Sequence, residues 1–271
     1  MNWLQPPPGC SAWGWLSIFA EVLSNFLDIR IAGRNLIVST SLWLIEQKQS
    51  SVSGIYPTLK DVYHVIKGRR YPAVSHSARY QETICNRLQG LLAVFGDNIC
   101  SQRRLNWDKF ISTNWAISLE GLPLDFQNVL ISVVTAKILT YRIVNNLRSS
   151  HLELLFVFDE GSTVFRKWYE KKEGTYILTD YLSRCREYGT GFIIGTQNLT
   201  SIADSVLSNT GIKILVGGAG LGADYETFAS ATGMTRDQKE FLRTLTMPGQ
   251  ACVKDPRYPH PFTIEVPKIV Q

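Results

Sequence analysis

The sequence predicts an α/β fold in which a mostly parallel sheet is flanked by helices and joined to an N-terminal helical annex. Three observations carry this expectation. Apolar residues recur at helical spacing through residues 11–95, short apolar runs alternate with helical stretches from Leu152 onward, and glycines punctuate the changeovers. The 271 residues, 45% hydrophobic and 19% charged, are enough for a sizeable core and rule out a mainly disordered chain.

The chain opens with Pro6, Pro7 and Pro8 ahead of Gly9, an extended or turning entry that reads as the tail of something longer. From Ser11 to Gln49, Trp15, Ile18, Phe19, Val22, Leu23 and Phe26, then Leu36, Ile37, Leu42, Leu44 and Ile45, spell two helices with Gly33 between them. The apolar run from Trp13 to Leu27, broken by Glu21, Ser24 and Asn25, is too short and too polar to span a bilayer. Thr58 and Asp61 have the spacing of a capping box ahead of a helix that ends at Gly68, and another helix covers Arg79 to Phe95 and stops at Gly96. Trp115 to Leu119 reads as a short strand ending near Gly121, before a long helix over Phe126 to Asn145.

The run LELLFVF, Leu152 to Phe158, has the texture of a strand buried on both faces of a parallel sheet. A helix from Thr175 to Tyr188 ended by Gly189, a strand Gly191 to Gly195, a helix Ser201 to Ser208 and a buried strand Ile212 to Val216 continue the alternation, which implies right-handed crossovers within one sheet. Helices over Asp224 to Ala231 and Thr235 to Leu245, the second boxed by Thr235 and Gln238, lead to a ribbon of Gln250 to Lys254 and Phe262 to Val266. The expected division is an annex over 1–105 and an α/β core over 106–271.

Several chemistries fall away early. The five cysteines, Cys10, Cys85, Cys100, Cys185 and Cys252, are widely spaced with no CxxC pair, which fits reduced thiols in a cytoplasmic protein and neither a disulfide framework nor a zinc site. His64, His76, His151 and His260 are scattered, and there is no GxSxG or HExxH. Net charge is +5, but the basic residues come in short groups: Lys67 with Arg69 and Arg70, Arg103 with Arg104, and Arg166 with Lys167, Lys171 and Lys172. Such groups read as solvated faces, since each supplies few phosphate contacts.

Ligands of open parallel sheets bind beyond the carboxyl ends of the strands. The residues to weigh are therefore Asp159 and Glu160, Thr196 and Gln197, and more weakly Glu120. An aspartate and glutamate after an apolar strand suit nucleotide hydrolysis, with Asp159 holding Mg²⁺ through water and Glu160 polarising the attacking water. The competing reading is a solvated loop carrying two carboxylates. Gln197, at the tip of an adjacent strand, suits a γ-phosphate sensor, and Arg184 and Arg186 read either as cations at a helix C-terminus or as arginine fingers given to a neighbouring subunit.

LELLFVFDEG, then SRCREYGTGFIIGTQNLTSIADSVLSNTGIKILVG, then TRDQKEFLRTLTMPGQACVK resemble the second half of the motor domain of the HerA/FtsK branch of P-loop ATPases, above all HerA-like helicases and the TraG-like ATPases of conjugation and type IV secretion. The resemblance runs from Tyr56 to the end. It implies a RecA-like core, with Asp159 and Glu160 as the Walker B pair, Thr196 and Gln197 as the nucleotide-facing strand tip, and Arg186, with Arg184, as the arginine element. It further implies ATP and Mg²⁺ as cofactors, a homo-oligomeric ring, a hexamer in such motors, DNA as a candidate partner, and peripheral association with a membrane secretion complex. The loop 166–174, with its lysines and Trp168, would face the ring's channel.

One part of that pattern is missing. Such a motor needs GxxxxGK(S/T), whose backbone cradles phosphates and whose lysine reaches the β and γ groups. No Gly-Lys dipeptide occurs in the sequence, and the glycine-rich stretch Gly217 to Gly222 reads as a strand-to-helix turn. The expectation is therefore the C-terminal portion of an ATP-driven motor, inactive until a segment or partner chain supplies a Walker A loop. A non-catalytic remnant or assembly subunit is the alternative.

Overall fold

The computed structural model describes residues 1–72, 75–103, 105–168, 177–217, 222–244 and 249–267. It divides into two compact units, Met1–Leu154 with Tyr176–Gly191, and Leu155–Thr175 with Phe192–Gln271. Two of the three boundaries fall within strands, β1 (Ser149–Phe158) and β2 (Tyr188–Ile194), which pair in parallel as a two-stranded sheet. The class is thus mixed α/β with helices flanking parallel strands, as the sequence predicts.

The first unit is helical: α1 (Ala12–Leu27), α2 (Ile31–Gln47), the single turn α3 (Ser50–Ser53), α4 (Leu59–Gly68), α5 (His76–Phe95), α6 (Trp107–Ser112), α7 (Leu124–Val144) and α8 (Ile177–Arg184). Local signals set several ends. Ser11 accepts a hydrogen bond from the Gly14 amide, Thr58 and Asp61 form the full capping box of α4, and Gly96 closes α5 at a φ of 54°. The break between α1 and α2 is at Asp28, left-handed at φ 52°, and not at Gly33, which is buried inside α2 where a Cβ would meet Ile29 and Ile84. Glycine at 33 serves close packing, and the aspartate serves the turn.

The N-terminal residues, in no helix or strand as expected, pack against the helices. Trp3 and Leu4 are buried in the helical core, and Asn2 bonds the Pro57 carbonyl at 3.0 Å. Lys137 of α7 donates from Nζ to the Asn2 carbonyl at 2.7 Å and lies 4.9 Å from the Trp15 ring, whose indole N–H bonds the Trp3 carbonyl. Arg142, one turn further along α7, grips the Tyr188 carbonyl with Nε and Nη2 at 3.0 and 2.7 Å. Gly189, at φ 58°, follows; a Cβ there would collide with the His151 carbonyl. The expected strand over Trp115 to Leu119 does not form: it is an extended, exposed segment outside either sheet, so Glu120 lies in a surface turn and belongs to no strand end.

The second unit carries the ends of β1 and β2, α9 (Asp204–Asn209), α10 (Gly222–Thr232), α11 (Arg236–Leu242) and a second sheet. Its strands β3 (Lys213–Val216), β4 (Gln250–Lys254) and β5 (Phe262–Glu265) run antiparallel in the order β3-β4-β5, with Ile214 opposite Val253 and Ala251 opposite Ile264. The ribbon of β4 and β5 matches the sequence reading, as does the Thr235–Gln238 box. β3 departs from it. This strand pairs with β4 rather than extending the parallel sheet, and Ile214 and Val216 are exposed.

β1 departs as well, being covered on one face only. Phe156 and Phe158 stack against Phe192, whereas Val157 and Ile193, on the opposite face, are 65% and 53% exposed. An exposed apolar face of this kind favours association. Replacing Val157 by Thr and Ile193 by Thr is expected to reduce binding of a hydrophobic dye and raise solubility with little change in melting temperature.

Lys137 generates a second prediction. Burial lowers its value from 10.5 to about 7, so above that pH the folded state holds a neutral amine while the unfolded chain keeps its proton up to 10.5. Protons are then released on folding, and stability rises with pH across that window. In Lys137→Met this slope should disappear, which urea midpoints taken near neutrality and about two pH units higher would read as a gain in the native chain and none in the variant.

Candidate functional site

The site lies at the ends of two parallel strands. The Gly195 amide donates to the Phe158 carbonyl at 2.8 Å, and the Gly161 amide donates back to the Gly195 carbonyl at 2.7 Å, so the two tips continue the ladder past the strands themselves. Both positions need glycine. A Cβ on Gly161 would collide with Ile194 Cγ2, and one on Gly195 would stand 2.8 Å from the Asp159 carbonyl.

This close approach brings Glu160 to the tip of β2. Its Oε1 accepts hydrogen bonds from Ser162 Oγ and, at 3.2 Å, from Thr196 Oγ1, while Oε2 accepts from the Gln197 amide at 3.4 Å. Partial burial opposes ionisation, but the bonds from Ser162, Thr196 and the Gln197 backbone outweigh it and hold the carboxyl below its ordinary value. Glu160, Thr196 and Gln197, singled out in the sequence, are therefore brought together. Ser162, Gly161 and Asn198 complete the arrangement, and no sequence pattern pointed to them beyond the small residues of DEGST.

Asp159 is exposed at the end of β1, and its carboxylate has no partner among the described residues. A single free carboxylate fits Mg²⁺, which is held by one or two carboxylates together with waters and substrate phosphates. No group of three metal-ligating side chains occurs among the described residues, so an all-protein metal cage is not offered there. The Gln197 side chain is also exposed.

Arg184 and Arg186 belong to the first unit. Arg184 makes a loose i,i+4 pair with Asp180 at 3.7 Å, both half-exposed, and Arg186 is exposed in the 3-10 turn Cys185–Glu187. Of the glycine-rich stretch, Gly217 donates to the Gln250 carbonyl at 2.6 Å and so extends the β3–β4 ladder, while 218–221 lie outside the described residues. In the basic loop, Arg166 bridges to Ile202 and Lys167 pairs with Asp204 at 2.7 Å; Lys171, Lys172 and Gly174 lie outside the described residues, as does Arg104.

The glycine pair yields a direct test. Gly161→Ala should lower stability by about 1–3 kcal/mol, because Ile194 or the backbone must shift, and adding Ile194→Leu, which removes the β-branch that carries the offending Cγ2, should restore part of it. Thermal melts of the single and double variants measure both effects.

No protein-family model matches the chain, and no curated protein matches it in sequence. Among solved structures it is similar to VirB4 of Thermoanaerobacter pseudethanolicus, with a TM-score of 0.65 and 14% identity over 94% of this chain and 69% of that one. At that identity the likeness is one of fold, a mixed α/β architecture with helices flanking parallel strands.

Proposed function

We propose that this chain is the C-terminal portion of an ATP-driven motor of the conjugation and type IV secretion kind, able to hydrolyse ATP once a GxxxxGK(S/T) segment completes it. The observation that carries this reading is the pairing of two strand ends, one bearing Asp159 and Glu160, the other Thr196 and Gln197 in hydrogen-bond contact with Glu160. The VirB4-like fold supports the secretion side of the resemblance over the HerA-like helicases.

In this reading Asp159 holds Mg²⁺ through water, and the bound ion supplies charge neutralisation at the phosphates. Glu160 takes the proton of the attacking water, which requires an ionised carboxylate, the form a glutamate has at neutral pH whether or not its hydrogen bonds are made. Gln197 offers its amide to the γ-phosphate or the water. Arg186, with Arg184, acts on a neighbouring subunit of a homo-oligomeric ring, of six chains in such motors, where charge develops on the transferred group. DNA is a further candidate partner, and a membrane secretion complex the candidate docking site. No helix among the described residues is long and apolar enough to cross a membrane, which suits peripheral attachment.

The test is Mg-ATP binding and turnover by the 271-residue chain, alone and mixed with a chain that bears a Walker A loop. Alone, it is expected to bind and turn over none. With the loop supplied, turnover is expected, and Glu160→Gln should cut it by about 10²–10⁴-fold. Turnover by the chain alone that Glu160→Gln abolishes would locate a phosphate site within these residues and overturn the completion argument. Failure with a loop-bearing partner would favour the non-catalytic assembly subunit.

A further inference from the structure

The Thr196 hydroxyl has one proton and two acceptors at equal distance. Glu160 Oε1 and the Asn198 carbonyl both lie 3.2 Å from Oγ1, and the same oxygen accepts the Asn198 amide at 3.0 Å. Asn198 is itself fixed: its Oδ1 receives Thr200 Oγ1 at 2.7 Å and the Ser201 amide at 3.2 Å, and its carbonyl receives Ser201 Oγ at 2.9 Å. The loop after β2 is therefore held in place whether or not Glu160 is engaged.

We propose that Thr196 is the positioning residue of Glu160, a latch that holds the carboxylate on the tip of β2 and, when the carboxylate turns away, rotates its proton to the Asn198 carbonyl. Neither position leaves the hydroxyl without an acceptor, so release costs little. The other donors to Glu160, the Oγ and backbone amide of Ser162 and the Gln197 amide, belong to exposed or half-exposed residues and pass to water on release. The bearing of the latch on turnover rests on the reading of Glu160 as the base that activates water: held, it faces the strand tip; freed, it can reach a water. The contact itself requires no nucleotide.

Amide hydrogen exchange of the full chain, followed by NMR at Gln197 and Asn198 without nucleotide, tests this in a double-mutant cycle. Glu160→Ala should speed exchange at Gln197 by about three- to tenfold, as loss of one exposed bond to a charged group does, and leave Asn198 unchanged. Thr196→Val should speed both amides, Asn198 through loss of Oγ1 and Gln197 through the departure of Glu160, and Thr196→Ser should restore both. In the Glu160→Ala background, Thr196→Val should affect Asn198 alone. The proposal is overturned by an unchanged Gln197 amide in either single variant, or by an equal Gln197 effect of Thr196→Val in both backgrounds. Because no nucleotide enters, a chain that fails to bind ATP can still show the latch, and a chain without the latch can still bind ATP.

Discussion

The arrangement around Glu160 depends on one close approach, the backbone of Gly161 against that of Gly195. Two hydrogen bonds, at 2.8 and 2.7 Å, carry the ladder of β1 and β2 beyond the last strand residues, and neither position has room for a side chain. Without that approach Glu160 would point from an ordinary surface turn. With it, the carboxylate sits among donors from Ser162, Thr196 and Gln197 that hold it below its ordinary value although it is partly shielded from water. The adjacent Asp159 meets none of these donors, and its carboxylate has no partner among the described residues. Neighbouring carboxylates with unlike surroundings are what a division of labour between base and metal holder requires.

A different economy governs the helical unit. There α7 is the organising element, and it works through cations aimed at carbonyl oxygens. Lys137 holds Asn2, and Arg142 holds Tyr188 at the start of β2. Neither cation has a carboxylate hydrogen-bonded to it: Lys137 has carbonyl dipoles and the face of Trp15, and Arg142 has the Tyr188 carbonyl and the through-space charge of Glu153. Burial of this sort is costly to the charged lysine, and the amine yields its proton readily.

Much of the local structure was legible in the sequence. The boxes at Thr58–Asp61 and Thr235–Gln238, the stop at Gly96 and the β4–β5 ribbon each follow from residues within a few positions of one another. What escaped was set by distant partners. Asp28 takes the left-handed turn because Ile29 must enter the core, Trp115 to Leu119 has strand-forming residues and no strand to pair with, and β3 finds β4 rather than β2. For the site, the acidic pair and Thr196–Gln197 could be read from their places after apolar runs. Ser162 and Asn198 could not, because their importance lies in angles and not in residue type.

The alternation of β1 has a consequence for how such a chain drifts over evolutionary time. A one-residue slip would turn Phe156 and Phe158 away from Phe192 and bring Leu155 and Val157 to the covered face, apolar for apolar, so the hydrophobic pattern by itself fixes the register only weakly. The pins are instead Gly189 against the His151 carbonyl and Gly195 against the Asp159 carbonyl, each where β2 can advance no further. Valine, leucine, isoleucine and phenylalanine can then be exchanged freely between the pins, while the glycines and their six-residue interval cannot. Lineages under this rule would lose recognisable sequence long before they lose shape.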